Sequence, residues 1–175
     1  MQNYIVLTAL GGNDPQIIVK FTKAIKEYGC NIIDSRVIVL GKELSLSMML
    51  SGSWNSVAKL EHTLPTLNKQ LNVDIQFRRT TKLDNPDRCM PYAIDIVSMD
   101  RIGIVHDITH FLVDNHIDIQ DMYTNTYQAT NSDTPMFSLH VIINVPADIS
   151  ISAIRGDFID FCDRLNLDAI MEPVK

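Results

Sequence analysis

The stretch "DRIGIVHDITHF", residues 100–111, decides the fold, because it supports three different readings. Its second half, His106-Asp107-Ile108-Thr109-His110, is one methylene away from the H-E-x-x-H helix of zinc peptidases. Its first half, Asp-Arg-x-Gly-Ile-Val, runs from a loop into a helix start, a place suited to holding a small anion. At about 100° per residue, Ile104, Val105, Ile108, Phe111 and Leu112 form one apolar stripe centred near Ile108. His106 and His110 then lie together on the opposite, solvent-facing side. A catalytic zinc needs a third protein ligand and a sheltered open position, and aspartate is shorter than the peptidase glutamate. The stretch therefore reads as an amphipathic helix resting on something flat, and neither a metal nor a cofactor is expected.

Working outward, the same helix occurs twice. A shift of 87 positions carries Asn13 onto Asp100, Ile17 onto Ile104, Phe21 onto Ile108 and Ile25 onto Leu112. The two histidines fall on Val19 and Lys23, so the apolar stripe repeats and the histidines do not. Further along, Asn31-Ile32-Ile33-Asp34 falls on Asp118-Ile119-Gln120-Asp121. Two copies of one unit explain this agreement.

Each copy predicts the same elements. Residues 4–10 and 92–98 are short β-branched-rich strands. In the first copy Gly11-Gly12-Asn13-Asp14-Pro15 is a turn, with Pro15 placed for the first position of a helix; in the second, Asp100 is the expected cap. Gly29 closes the first helix. Residues 31–40 and 43–50 form a hairpin around Gly41-Lys42; residues 118–127 and 136–145 form its counterpart, with a longer polar loop. A second helix runs from Ser53 or Asn55 to about Leu71, bent or broken near Pro65, and another covers 150–165. Closing strands span 73–79 and 167–172. The order βαββαβ, twice, predicts an α+β protein of two ferredoxin-like units, each an antiparallel sheet with helices on one face. The first unit is 1–82, a proline-containing linker is 83–91, and the second unit is 92–175.

Bulk properties narrow the function. The chain has 175 residues and a net charge of −6. A protein that grips nucleic acid needs a basic surface, and the only compact basic cluster is Arg78-Arg79 with Lys82, read as a solvated strand end. No direct nucleic-acid contact is expected. No run of about 18 apolar residues suggests a membrane span, and residues 4–10 read as a strand rather than a signal peptide. Cys30, Cys89 and Cys162 give neither a disulfide framework nor a zinc spacing, which points to a reduced, cytoplasmic setting. There is no nucleophile elbow and no phosphate-binding loop. Trp54 reads as packing at a helix start, and Met48-Met49-Leu50 with Met136 as buried strand. No enzyme signature remains.

What remains is the loop. Free N–H groups at a helix start suit a carboxylate, Gly103 allows close approach, Asp100 suits an ammonium group, and Arg101 can reinforce carboxylate binding. An amino-acid zwitterion would fit that set; so would an ordinary helix start.

Tandem βαββαβ units with Asp-Arg-x-Gly-Ile-Val at the first loop resemble ACT domains, amino-acid-sensing modules of metabolic regulation. Ala9-Leu10-Gly11-Gly12, Gly29-Cys30-Asn31-Ile32-Ile33-Asp34-Ser35-Arg36, Leu50-Ser51-Gly52-Ser53-Trp54-Asn55, Thr63-Leu64-Pro65 and Arg79-Thr80-Thr81 resemble, more specifically, the glycine cleavage system transcriptional repressor family. That resemblance implies a non-enzymatic regulator that represses by contact with a DNA-binding transcriptional activator and responds to a small amino acid such as glycine. It also implies pairing of ACT units, including a homodimer, with ligand held between them at a first loop and the start of the next strand. Carried onto this chain, the ligand-binding residues are Asn13, Asp14, Pro15, Gln16 and Ile17 with Asn31 and Ile32. In the second copy they are Asp100, Arg101, Ile102, Gly103 and Ile104 with Asp118 and Ile119. The first loop reads Asn13-Asp14-Pro15-Gln16 and lacks the family's glycine; the second has Gly103 and lacks its proline. An ACT-type sensor regulating an enzyme of another pathway is the alternative.

Overall fold

The computed structural model describes residues 2–82, 89–130 and 132–174. The chain divides into two compact units, Met1–Asp84 and Asn85–Lys175. The first contains β1 (Asn3–Gly12), α1 (Gln16–Glu27), β2 (Asn31–Leu40), β3 (Glu43–Gly52), α2 (Trp54–Leu71) and β4 (Val73–Thr80). The second contains β5 (Cys89–Met99), α3 (Ile104–Asp114), β6 (Asp118–Gln128), β7 (Pro135–Pro146), α4 (Ile151–Arg164) and β8 (Asp168–Pro173). Both sheets are antiparallel, in the orders β2-β3-β1-β4 and β6-β7-β5-β8. This is the expected ferredoxin-like βαββαβ architecture, made twice.

The period-2 alternation of the strands sets which face is buried. In β1, Ile5, Leu7 and Ala9 point inward, opposite Leu50, Met48 and Leu46 of β3. The stripe Ile17, Phe21, Ala24 and Ile25 of α1 and the stripe Val57, Leu60, Leu64 and Leu67 of α2 cover them. In the second unit Ile94 and Ile96 pair with Val141 and Leu139 beneath Ile104, Ile108 and Leu112 of α3 and Ile154, Phe158 and Cys162 of α4. Each fully buried Leu, Ile or Phe contributes roughly 1.5–3 kcal/mol, so two separate cores of this size hold two units.

The repeat extends to irregularities. The β2–β3 register slips between Ile32 and Asp34, and the β6–β7 register slips between Ile119 and Asp121, again 87 positions later. Both first helices end in a left-handed residue, Gly29 at φ +69° and His116 at φ +58°. The pair of bonds Cys30 N–H to Ile25 C=O and Gly29 N–H to Lys26 C=O recurs as Ile117 to Leu112 and His116 to Val113.

Some boundaries differ from the sequence reading. Strand β5 begins at Cys89 and runs through Pro91, whose partner is Asn144, so the last three positions of the expected linker are strand; residues 83–88 of that linker lie outside the described residues. Helix α2 is continuous through Pro65. The proline sits on the exposed side, and Leu60, Leu64 and Leu67 anchor the helix on both sides of it. Asp100 does not cap α3: the helix starts at Ile104 and Gly103 stands at its N-cap. Met48 and Leu50 are buried, whereas Met49 and Met136 are half-buried on the sheet face away from the helices.

Candidate functional site

The two first loops differ in how their helix starts are satisfied. In the first unit, Gln16 N–H donates to Asp14 Oδ1 at 2.9 Å and Ile17 N–H donates to the Asp14 carbonyl at 3.0 Å. Asp14 thus occupies donors that a ligand carboxylate would need. Asn13 N–H donates to the Lys42 carbonyl, and Pro15 precedes the first helical residue in helical conformation. Gln16 is that first residue, and Ile17 is already in the core.

The second loop is open. No side chain caps α3, so the N–H groups of its first turn have no side-chain acceptor from the N-cap residue, with the helix dipole behind them. Asp100 N–H donates to the Pro135 carbonyl, which fixes the loop to the start of β7. Ile102 is fully exposed and Ile104 is buried. Gly103 holds φ +100°, and a Cβ placed on it would meet nothing within 4 Å. The glycine is therefore needed for its backbone conformation, and a bulky residue there would strain the helix start before it blocked anything. Arg101 turns back toward Asp107, at 3.4 Å, instead of projecting from the loop.

The strand residues of the candidate set stand elsewhere. Asn31 and Asp118 are the exposed first residues of β2 and β6, while Ile32 and Ile119 pack against the two cores. Because β2 runs parallel to β1, Asn31 lies level with Ser51 and Tyr4, whereas Gly12 lies level with Glu43. Within one unit, loop and strand start are at opposite ends of the sheet, roughly 25 Å apart at the rise of a strand. The structure brings together the residues of each loop, and does not bring the loop to the strand start of the same unit.

Other residues singled out in the sequence have definite places. His106 and His110 are exposed, with ring centroids 5.6 Å apart, and His110 Nδ1 contacts Asp114 at 2.8 Å. Among the described residues no group of three His, Cys, Asp or Glu side chains could hold a metal. The basic cluster is divided: Arg79 makes two 2.8 Å bonds to Glu61, whereas Arg78 points to the other face of β4. The Arg79 guanidinium beside Glu61 holds that carboxyl below its usual range. Trp54 is not packed inside. It is 60% exposed, with the Arg79 guanidinium 5.7 Å from its ring centroid. Sequence reading missed this contact because a cation and an indole 25 positions apart meet only once α2 lies beside β4.

A helix-covered βαββαβ sheet, made twice, is an architecture found in ACT domains, a regulatory class. The ACT domain family matches residues 3–78 directly, and the second unit repeats that architecture. The glycine cleavage system transcriptional repressor of Escherichia coli (strain K12) is 31% identical over 165 residues, covering 94% of this chain and 87% of its own; the Shigella flexneri repressor matches equally. A crystal structure of a protein proposed to be a glycine cleavage system transcriptional repressor superposes over the whole chain, with a TM-score of 0.73 at 24% identity and 99% of that chain covered. A crystal structure of an unknown protein from Galdieria sulphuraria has the same fold, with a TM-score of 0.79 at 21% identity and complete coverage of both chains. The chain belongs to the glycine cleavage system transcriptional repressor family.

Proposed function

We propose that this protein is a non-enzymatic, cytoplasmic repressor of glycine-cleavage genes that works by binding a DNA-binding activator, with a small amino acid such as glycine setting its state. The observation that carries this reading is the 31% identity to the Escherichia coli repressor across 94% of the chain. The charge supports action through protein contact: with a net charge of −6 and its Arg79 tied to Glu61, the chain presents little that would displace counterions from DNA. No helix among the described residues is long and apolar enough to cross a membrane.

The absence of a side-chain cap at the start of α3 supports the second loop as the amino-acid contact. Its N–H groups and Asp100 supply opposite signs for a carboxylate and an ammonium group. Pairing with a second copy of the chain, as a homodimer, belongs to the same reading. The test is transcription from a glycine-cleavage promoter with purified activator, with and without this chain, across a glycine titration. Repression that needs the activator and responds to glycine is the expected result, and Asp100→Ala should shift the glycine response about ten- to a hundredfold, the worth of one charged hydrogen bond. Transcription unchanged by the chain at every glycine concentration would overturn the reading.

A further inference from the structure

The second unit has an open groove of about 490 Å³ between α4 and the end of its sheet, lined by Tyr92, Ile151, Arg155, Gly156, Ile159 and Pro173 together with Ser152 and Asp160; Arg155 and Gly156 are exposed. The first unit shows what normally occupies this place. Buried Leu60 and Leu64 of α2 correspond to buried Ile154 and Phe158 of α4, each 94 positions later. The same step carries Glu61 to Arg155 and Arg79 to Pro173. The strand registers agree, since Arg79 is paired with Ile5 and Pro173 with Tyr92, which are equivalent positions in the two sheets. In the first unit the Glu61–Arg79 bridge spans the flank from helix to edge strand. In the second, the cation has moved to the helix, its carboxylate is gone, and Arg155 has no ion pair among the described residues.

Gly156 adds an independent sign. A glycine inside a helix costs stability relative to alanine, and a Cβ here would meet nothing within 4 Å. Packing does not require this glycine, and its missing side chain leaves the wall of the groove along α4 open at this point. We propose that this flank is a binding site for a small monocarboxylate with an apolar body, whose carboxylate takes at Arg155 the role that Glu61 plays for Arg79. The apolar part lies over Gly156 against Ile151, Ile159 and Tyr92. The volume suits a small ligand, and Asp160, five residues from Arg155 and about 140° around the helix, also lines the groove and disfavours a second anionic group.

The experiment is calorimetric titration of the full chain with phenylacetate, 4-methylpentanoate and hexanoate, each beside its neutral amide. At least one carboxylate should bind with Kd below about 1 mM and its amide about tenfold or more weakly. Arg155→Gln should abolish that preference, and Gly156→Phe should abolish binding while circular dichroism shows the fold retained; Gly156→Leu serves if the phenylalanine variant fails to fold. No binding by any carboxylate, or binding untouched by both position-156 variants, overturns the site. Amide and carboxylate binding equally well, with Arg155→Gln silent, overturns the carboxylate class.

Discussion

His116 occupies the backbone conformation that Gly29 occupies in the other repeat, and exchanging the two residue types tests whether the repeats are energetically as well as geometrically equivalent. Both positions lie one residue past the helix C-cap, at φ +58° and φ +69°, and both are exposed. An L-residue in the left-handed region costs roughly 1–2 kcal/mol, while glycine loses roughly 0.5–1 kcal/mol more unfolded-state freedom. His116→Gly should therefore stabilise the chain by about 0.5–1 kcal/mol, which raises Tm by about 1–4 °C for a chain of this length. His116→Ala, which keeps the strain, should not. Gly29→His should lower Tm by a similar margin, because its Cβ would meet only Ser56 Oγ at 3.6 Å and the cost is conformational. Thermal unfolding followed by circular dichroism is the assay. A His116→Gly variant no more stable than His116→Ala would show that the side chain, not the backbone, governs this position.

Three further outcomes follow from the structure. Phe21 and Leu112 are each 1% exposed in separate cores, so Phe21→Ala should cost about 3–5 kcal/mol and Leu112→Ala about 2–5 kcal/mol in chemical denaturation; a loss below 1 kcal/mol for either would mean the core at that position is not packed as described. Burial pushes the Cys162 thiol up to about 12, so in a Cys30→Ser/Cys89→Ser variant Ellman's reagent at pH 8 should react only as fast as the fold opens, and an immediate reaction would contradict the burial. Arg79 lowers the Glu61 carboxyl below its unfolded value; its contribution is present above the unfolded pKa and lost as pH falls through the lower folded one. The Tm difference between wild type and Glu61→Gln should accordingly shrink between neutral pH and about pH 3, and a difference independent of pH would remove the ion pair from the account.

Much of the fold could be read in the chain because it is written in periodicity. The stripes Ile17, Phe21, Ile25 and Ile104, Ile108, Leu112 are the buried faces of α1 and α3, and the shift of 87 residues that aligns them also aligns the two register slips. Features that depend on a single backbone angle were less legible. Asp100 has the chemistry of a cap, yet the chain turns through Gly103 instead. Pro65 breaks a helix hydrogen bond locally, but apolar anchors on both sides keep α2 whole. The environment of Trp54 and the fate of Arg79 depend on which strand edge α2 covers, and no local pattern encodes that. The candidate loops were proposed from the residues of the second loop and from the ACT resemblance, whereas the separation of loop from strand start follows from the parallel direction of β1 and β2.

Repression through protein contact is tested most directly by a gel-shift titration on a glycine-cleavage promoter with the chain alone, the activator alone, and both together. The chain alone should leave the DNA unshifted, and adding it to the activator–DNA complex should change that complex's mobility or occupancy. A sequence-specific shift by the chain alone, or an activator complex unaffected by saturating chain, would contradict the account.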